Sequence, residues 1–194
     1  MSASARLAAF PAGLALAGCA LAPAALGPGP VGDERLRFEL QTRWSPIRQG
    51  LDPEVNADQL TQNGPLLDRL FVTSLESGEG LLTPGFEAHP RWWAGTPADA
   101  LDGFLAGSLA ALGYENIQVV AKTEHAFAGE PGVLYSLALE RPGGLEISGQ
   151  ALAGAQGETL DLLLFLAPRE HYFASRRSEV SHIFDTLERR APPA

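Results

Sequence analysis

Apolar residues recur along this chain in two rhythms, one of period two and one near 3.6, and the change of rhythm marks the elements. Leu36-Arg37-Phe38-Glu39-Leu40 alternates apolar and polar positions, as a strand with one buried face does. Leu70 to Leu75 predicts a second strand, entered from the turn Asn63-Gly64-Pro65 and closed by Ser77-Gly78-Glu79-Gly80. Ile117–Ala121 reads as a short strand, and Val133, Tyr135, Leu137 and Leu139 alternate in a longer one. Leu145, Ile147, Gly149 and Ala151 alternate again after the turn Pro142-Gly143-Gly144. The run TLDLLLFLA from Thr159 loses the alternation after Asp161, which predicts a central strand covered on both faces. The last three of these strands, joined by short turns, form an antiparallel meander.

The helical rhythm appears twice. Leu101, Phe104, Leu105, Leu109 and Leu112 share one face of a helix predicted over 97–112. Thr96 is placed to cap it, Pro97 suits its first position and Gly113 stops it. Val180, Ile183, Phe184 and Leu187 mark a second helix over 176–189. Residues 49–59 and 83–97 lack either rhythm and read as loop. The order predicts an α+β domain over 34–190, a central antiparallel sheet with helices covering it.

The N-terminus follows neither rhythm. Arg6 precedes a short apolar run, Leu7 to Ala17, that ends in small residues, the layout of a secretory signal over 1–18. Leu16-Ala17-Gly18-Cys19 resembles the lipobox of bacterial lipoproteins. That resemblance implies a diacylglycerol on the Cys19 sulfur, cleavage before it and acylation of the new amine by a fatty acid such as palmitate. Cys19 is the single cysteine, so no internal disulfide competes for its thiol. Residues 19–33, rich in Pro, Gly and Ala, read as a flexible tether. The expected partner of this end is a membrane, with an alanine at position 20 pointing to the outer rather than the inner one.

Composition narrows the remaining choices. The formal net charge of −9 opposes nucleic-acid binding. No apolar stretch after residue 30 is long enough to span a bilayer. Thirteen arginines stand against one lysine, Lys122.

The helix-strand-meander-helix run, 97–189, resembles the PsbP-like α-β-α sandwich. Ala128-Gly129-Glu130-Pro131-Gly132 ahead of a strand is similar to that fold's recurrent G-x-P-G, and the apolar strand running into Tyr172-Phe173 and then a helix also fits. Gln62 to Leu70 resembles a stretch of uncharacterised bacterial lipoproteins. The resemblance implies a scaffold that binds larger complexes and carries no catalytic residues over.

Chemical motifs point the same way. G-x-S-x-G is absent, and His89, His125, His171 and His182 have no metal-ligand spacing. No catalytic residue, metal site or cofactor is assigned. His171 beside Tyr172 either lines a cleft or caps a strand-to-helix junction. Arg91-Trp92-Trp93 is the candidate partner-binding segment: two flat aromatic faces beside a guanidinium fork suit a protein or sugar surface. The competing expectation places one tryptophan over the sheet edge and the other beneath the loop. The sequence therefore describes a lipid-anchored envelope protein, non-enzymatic, serving as a binding or adaptor module for another envelope protein. The alternatives are an envelope hydrolase acting on cell-wall or lipid material and a small-ligand binder.

Overall fold

A computed structural model describes residues 24–47, 55–83 and 89–190. In chain order the strands are β1 (Gly29–Gly32), β2 (Leu36–Leu40), β3 (Ser45–Pro46), β4 (Asp58–Thr61), β5 (Arg69–Glu76), β6 (Glu115–Phe127), β7 (Glu130–Arg141), β8 (Leu145–Gln156), β9 (Thr159–Pro168) and β10 (Glu188–Arg189). Helix α1 (Asp102–Ala111) lies between β5 and β6, and α2 (Ala174–Asp185) between β9 and β10. One sheet has seven strands in the order β3-β4-β5-β9-β8-β7-β6, every neighbouring pair antiparallel. A second sheet has three, β1-β2-β10.

Strand β9 explains why the molecule has three layers. Every residue in it is buried. Leu160, Leu162, Leu164 and Leu166 point into a core shared with α1, where Leu101, Phe104, Leu105 and Leu109 meet them. Leu163, Phe165 and Ala167 point the other way, into a core closed by Val180, Ile183 and Phe184 of α2 and Leu36, Phe38 and Leu40 of β2. Each fully buried leucine or phenylalanine contributes about 1.5–3 kcal/mol relative to exposure, so an all-apolar strand is stable only between two covers. Among the described residues no helix is long and apolar enough to cross a membrane.

The α+β reading holds, with β2, β5, the meander turns and the doubly covered β9 where the pattern placed them. Several boundaries move, each for a tertiary reason. Part of the stretch read as tether belongs to the fold: Leu26 bridges Trp44, and Gly29–Gly32 pairs with β2. That pairing is made by backbone groups and needs no apolar alternation. Strand β4 begins at Asp58, in the last two residues of the stretch read as loop, and is held between β3 and β5. Strand β6 continues to Phe127 because β7 pairs with it along its length, although most of its side chains are exposed. Helix α1 starts at Asp102, without a Thr96 cap. The Tyr135 hydroxyl supplies the cap instead, accepting from the Leu101 amide at 3.1 Å and donating to the Ala98 carbonyl at 2.6 Å. Helix α2 ends at Asp185, and Glu188–Arg189 pairs with β2 because Arg189 is drawn to the buried Asp161.

Candidate functional site

Strand register divides the long sheet into two ends. Ser45, Thr61, Arg69, Pro168, Leu145, Arg141 and Glu115 lie at one end. Glu76, Thr159, Gln156, Glu130 and Phe127 lie at the other. The Arg91–Trp93 segment belongs to the second end. The Gly78 amide donates to the Trp92 carbonyl and the Trp92 amide to the Glu79 carbonyl, both at 2.7 Å. This pairing splits the two tryptophans. Trp92 is 1 % exposed and part of the α1-side core, so its ring offers no face to a partner. Trp93 is 61 % exposed. Its ring passes close to Gly78, where a Cβ would stand 3.6 Å away and the backbone φ of +91° favours glycine. Arg91 donates to the Gly78 carbonyl at 2.9 Å from an exposed side chain. The structure thus brings Arg91 and Trp93 together on the surface and withdraws Trp92 beneath them.

At the same end of the sheet an open groove of about 780 Å³ runs between the turn ahead of α1 and the β6–β7 hairpin. Its walls carry the carboxylates of Asp99, Glu124 and Glu130 and the imidazole of His125, and its floor is small: Ala126, Gly132 and Ala155. Gly132 must be glycine, since a Cβ there would lie 2.7 Å from Phe127 and 2.8 Å from the Ala153 carbonyl. Lys122 ties the groove's two walls, donating to the Asp99 carbonyl at 3.0 Å and to Asp102 at 2.8 Å. That hydrogen bond holds the Asp102 carboxyl below its usual range and pushes the Lys122 ammonium up. Burial pushes the Tyr135 phenol up. His125 uses Nδ1 toward the Ala126 carbonyl at 2.8 Å and approaches Asp185 at 3.5 Å.

A smaller slot of about 220 Å³ separates the three-stranded sheet from β4 and β5. Leu26, Val31, Phe38, Leu60 and Val72 line it, with Asp33 and Asp58 among them. Burial, and then the Asp33 charge, raises the Asp58 pKa.

The buried ionisable groups are occupied in holding the chain together. Asp161, fully buried, accepts from Arg189 at 2.7 Å and Ser74 at 2.6 Å and forms an ion pair with Arg35 at 3.2 Å. Asp68 accepts from Thr61 at 2.6 Å and from the amides of Gln62 and Asn63. Glu179 accepts from the amides of Gln41 and Thr42 and from the Trp44 indole. Sequence reasoning missed all three, because an isolated acid in a polar stretch carries no sign of burial. His171 sits exposed in the kinked segment Arg169–Phe173, with φ +68° and its ring edge-on to Tyr172 at 5.2 Å, at the junction of β9 and α2. Among the described residues no group of three His, Cys, Asp or Glu could hold a metal ion. Leu16, Ala17, Gly18 and Cys19 lie outside the described residues.

No family model matches the chain, and no curated protein matches it by sequence. Solved structures do match it in shape. Cyanobacterial PsbP (CyanoP) from Synechocystis superposes with a TM-score of 0.53 at 13% identity, covering 82% of this chain and 95% of that protein. LpqN of Mycobacterium tuberculosis, described as involved in cell envelope biogenesis, superposes with a TM-score of 0.50 at 13% identity, covering 84% and 90%. A Bacteroides thetaiotaomicron protein gives a TM-score of 0.47 at 10% identity, and the chain spans 45% of its length. At such identities the likeness shows the fold, a PsbP-like α+β architecture.

Proposed function

We propose that this chain is a lipid-anchored protein of the bacterial envelope, tethered through an acylated Cys19, whose domain binds another envelope protein and performs no catalysis of its own. The observation that carries the reading is Leu16-Ala17-Gly18-Cys19, a leucine, two small residues and the single cysteine, at the end of a short apolar run behind Arg6. A second acyl chain makes such an anchor stable where one would not. Alanine at position 20 favours the outer membrane. The envelope role of LpqN, a protein of similar fold, is compatible with that setting.

The surface we assign to the partner is the end of the sheet that bears Trp93, Arg91 and the acidic groove. An exposed tryptophan on a hydrogen-bonded turn loses little entropy on binding, and a guanidinium beside it can pair with a carboxylate. The occupation of Asp68, Asp161 and Glu179 in structural bonds supports the non-enzymatic reading. Crosslinking in the native cell, followed by purification in detergent and mass spectrometry, tests it. A stoichiometric envelope protein, lost with Trp93→Ala and retained with a distant surface substitution, is the expected result. An activity abolished by one substitution would overturn it.

The slot between the sheets favours a second reading, a small apolar ligand with a hydrogen-bonding group facing Asp58. A rise in melting temperature with one class of metabolite, abolished by Val72→Phe, would support that reading.

A further inference from the structure

The described chain begins at residue 24, and its first contact, Leu26 with Trp44, lies at the sheet end marked by Ser45 and Thr61. Four residues separate Cys19 from residue 24, so the five Cα steps between them reach at most about 18 Å. The lipid and this end of the domain are therefore neighbours by chain connectivity. The same end carries Leu66, 68 % exposed in the turn ahead of β5, and Leu145, 48 % exposed at the start of β8. Only β9 separates β8, which starts at Leu145, from β5, which follows the Leu66 turn, so the two strands lie on the order of 10 Å apart. Arg43 and Arg177 are exposed here, and among the described residues neither forms an ion pair. Arg177 sits with Arg176 in the first turn of α2, which holds no acidic residue, although the helix dipole favours anions there. Of the acids at this end, Glu146 pairs with Arg169, Glu140 accepts from Asn116, and Glu115 and Glu170 are exposed.

Resting on the lipid-anchor reading, we propose that this end of the sheet, through Leu66, Leu145, Arg43 and Arg177, lies against an anionic phospholipid surface, and that the acidic end projects away from it. Two apolar tips can enter the headgroup region while unpaired arginines meet phosphates, the usual division of labour at a membrane interface. The opposite end could not do this. Its surface carries Glu34, Glu79, Glu124, Glu130 and Glu158, which an anionic bilayer repels, and these outnumber its exposed Arg91 and the Lys122 already paired with Asp102.

The test uses the full lipoprotein in vesicles of phosphatidylcholine with phosphatidylglycerol. Because the native cysteine is consumed by lipid, Pro142→Cys and Glu158→Cys each give one reactive thiol, at the two ends of the sheet. Each is labelled with a fluorophore and quenched by a lipid-borne quencher, and the N-terminal peptide of the same sample is weighed. The expected result is a lipidated peptide with quenching at position 142 several-fold above that at 158. Arg43→Gln with Arg177→Gln should bring that several-fold ratio down toward one, because each arginine lost removes part of the attraction to anionic headgroups. A lipidated chain with equal quenching at both positions overturns the orientation and leaves the anchor standing. A peptide without lipid overturns both.

Discussion

The two ends of the long sheet satisfy their buried carboxylates differently, one with arginines and the other without any cation, and so leave different charges on their surfaces. At the end holding Glu76 and Thr159, arginine goes inside: Arg189 is mostly buried against Asp161 and packs over the Phe127 ring at 4.6 Å, and Arg35 joins the same carboxylate. The surface left behind is acidic. At the end holding Arg69 and Leu145, carboxylates go inside. Asp68 and Glu179 are satisfied there by backbone amides, a hydroxyl and an indole, and no cation is used. The surface left behind keeps its arginines. A net charge of −9 hides this segregation. What a partner or a membrane meets is composition minus whatever the interior neutralises, and a backbone amide satisfies a carboxylate without consuming a cation.

The comparison is most strongly tested inside the two networks. Asp161→Ala leaves two guanidinium groups facing each other and should cost about 3–5 kcal/mol in chemical denaturation. Adding a leucine at 161 and a methionine at 189 (Asp161→Leu with Arg189→Met) should recover most of that loss, because an apolar pair can replace an ionic one. Asp68→Ala admits no full rescue, since beside the Thr61 hydroxyl and the Asn63 side chain its partners include the Gln62 and Asn63 main-chain amides, which no second substitution removes. If a second substitution rescued it, the distinction between the two ends would fail.

The aromatic pair sharpens the same contrast between inside and outside. Trp92→Ala should destabilise by about 3–5 kcal/mol, and Trp93→Ala should stay within about 0.5 kcal/mol, both read by calorimetry. Comparable losses in the two variants would mean that Trp93 serves packing rather than recognition. Tyr135→Phe is smaller. It strands the Leu101 amide in the core at a cost of about 1–3 kcal/mol, and hydrogen exchange in the first turn of α1 should quicken.

The smallest expected effect is at Asp58. Its folded pKa is raised above its ordinary value of 3.8, so the folded state binds the proton more tightly than the unfolded one. Stability contributed by the neutral carboxyl is full below that value and is lost as pH rises through the raised one. Asp58→Asn should therefore stabilise the chain at neutral pH, by less than about 1 kcal/mol for so solvated a group, and flatten that part of the pH profile. A loss of stability at neutral pH would show that the carboxylate has a favourable partner in the fold.

Much of this fold was legible because its strands are written in side chains. Thr159–Pro168 has too many leucines for one buried face, and two covering layers follow from that excess alone. Strands made by backbone pairing were not legible. Gly29–Gly32 has no alternation to read, and the polar half of β6 persists because β7 lies beside it. The candidate site was half legible. Arg91-Trp92-Trp93 stood out by composition, but adjacent residues on an extended segment face opposite ways, and composition does not say which way is inward.

The sequence by itself determined the α+β class, the doubly covered central strand, the meander and the resemblance of Leu16-Ala17-Gly18-Cys19 to a lipobox, since each rests on periodicity or on a short contiguous motif. Only the tertiary structure decided which tryptophan is exposed, where α1 begins, that residues 29–32 join a sheet, and how charge divides between the two ends. Those outcomes depend on residues far apart in the chain, Tyr135 with Leu101, Arg189 with Asp161 and Glu179 with Trp44, whose meeting no local pattern encodes.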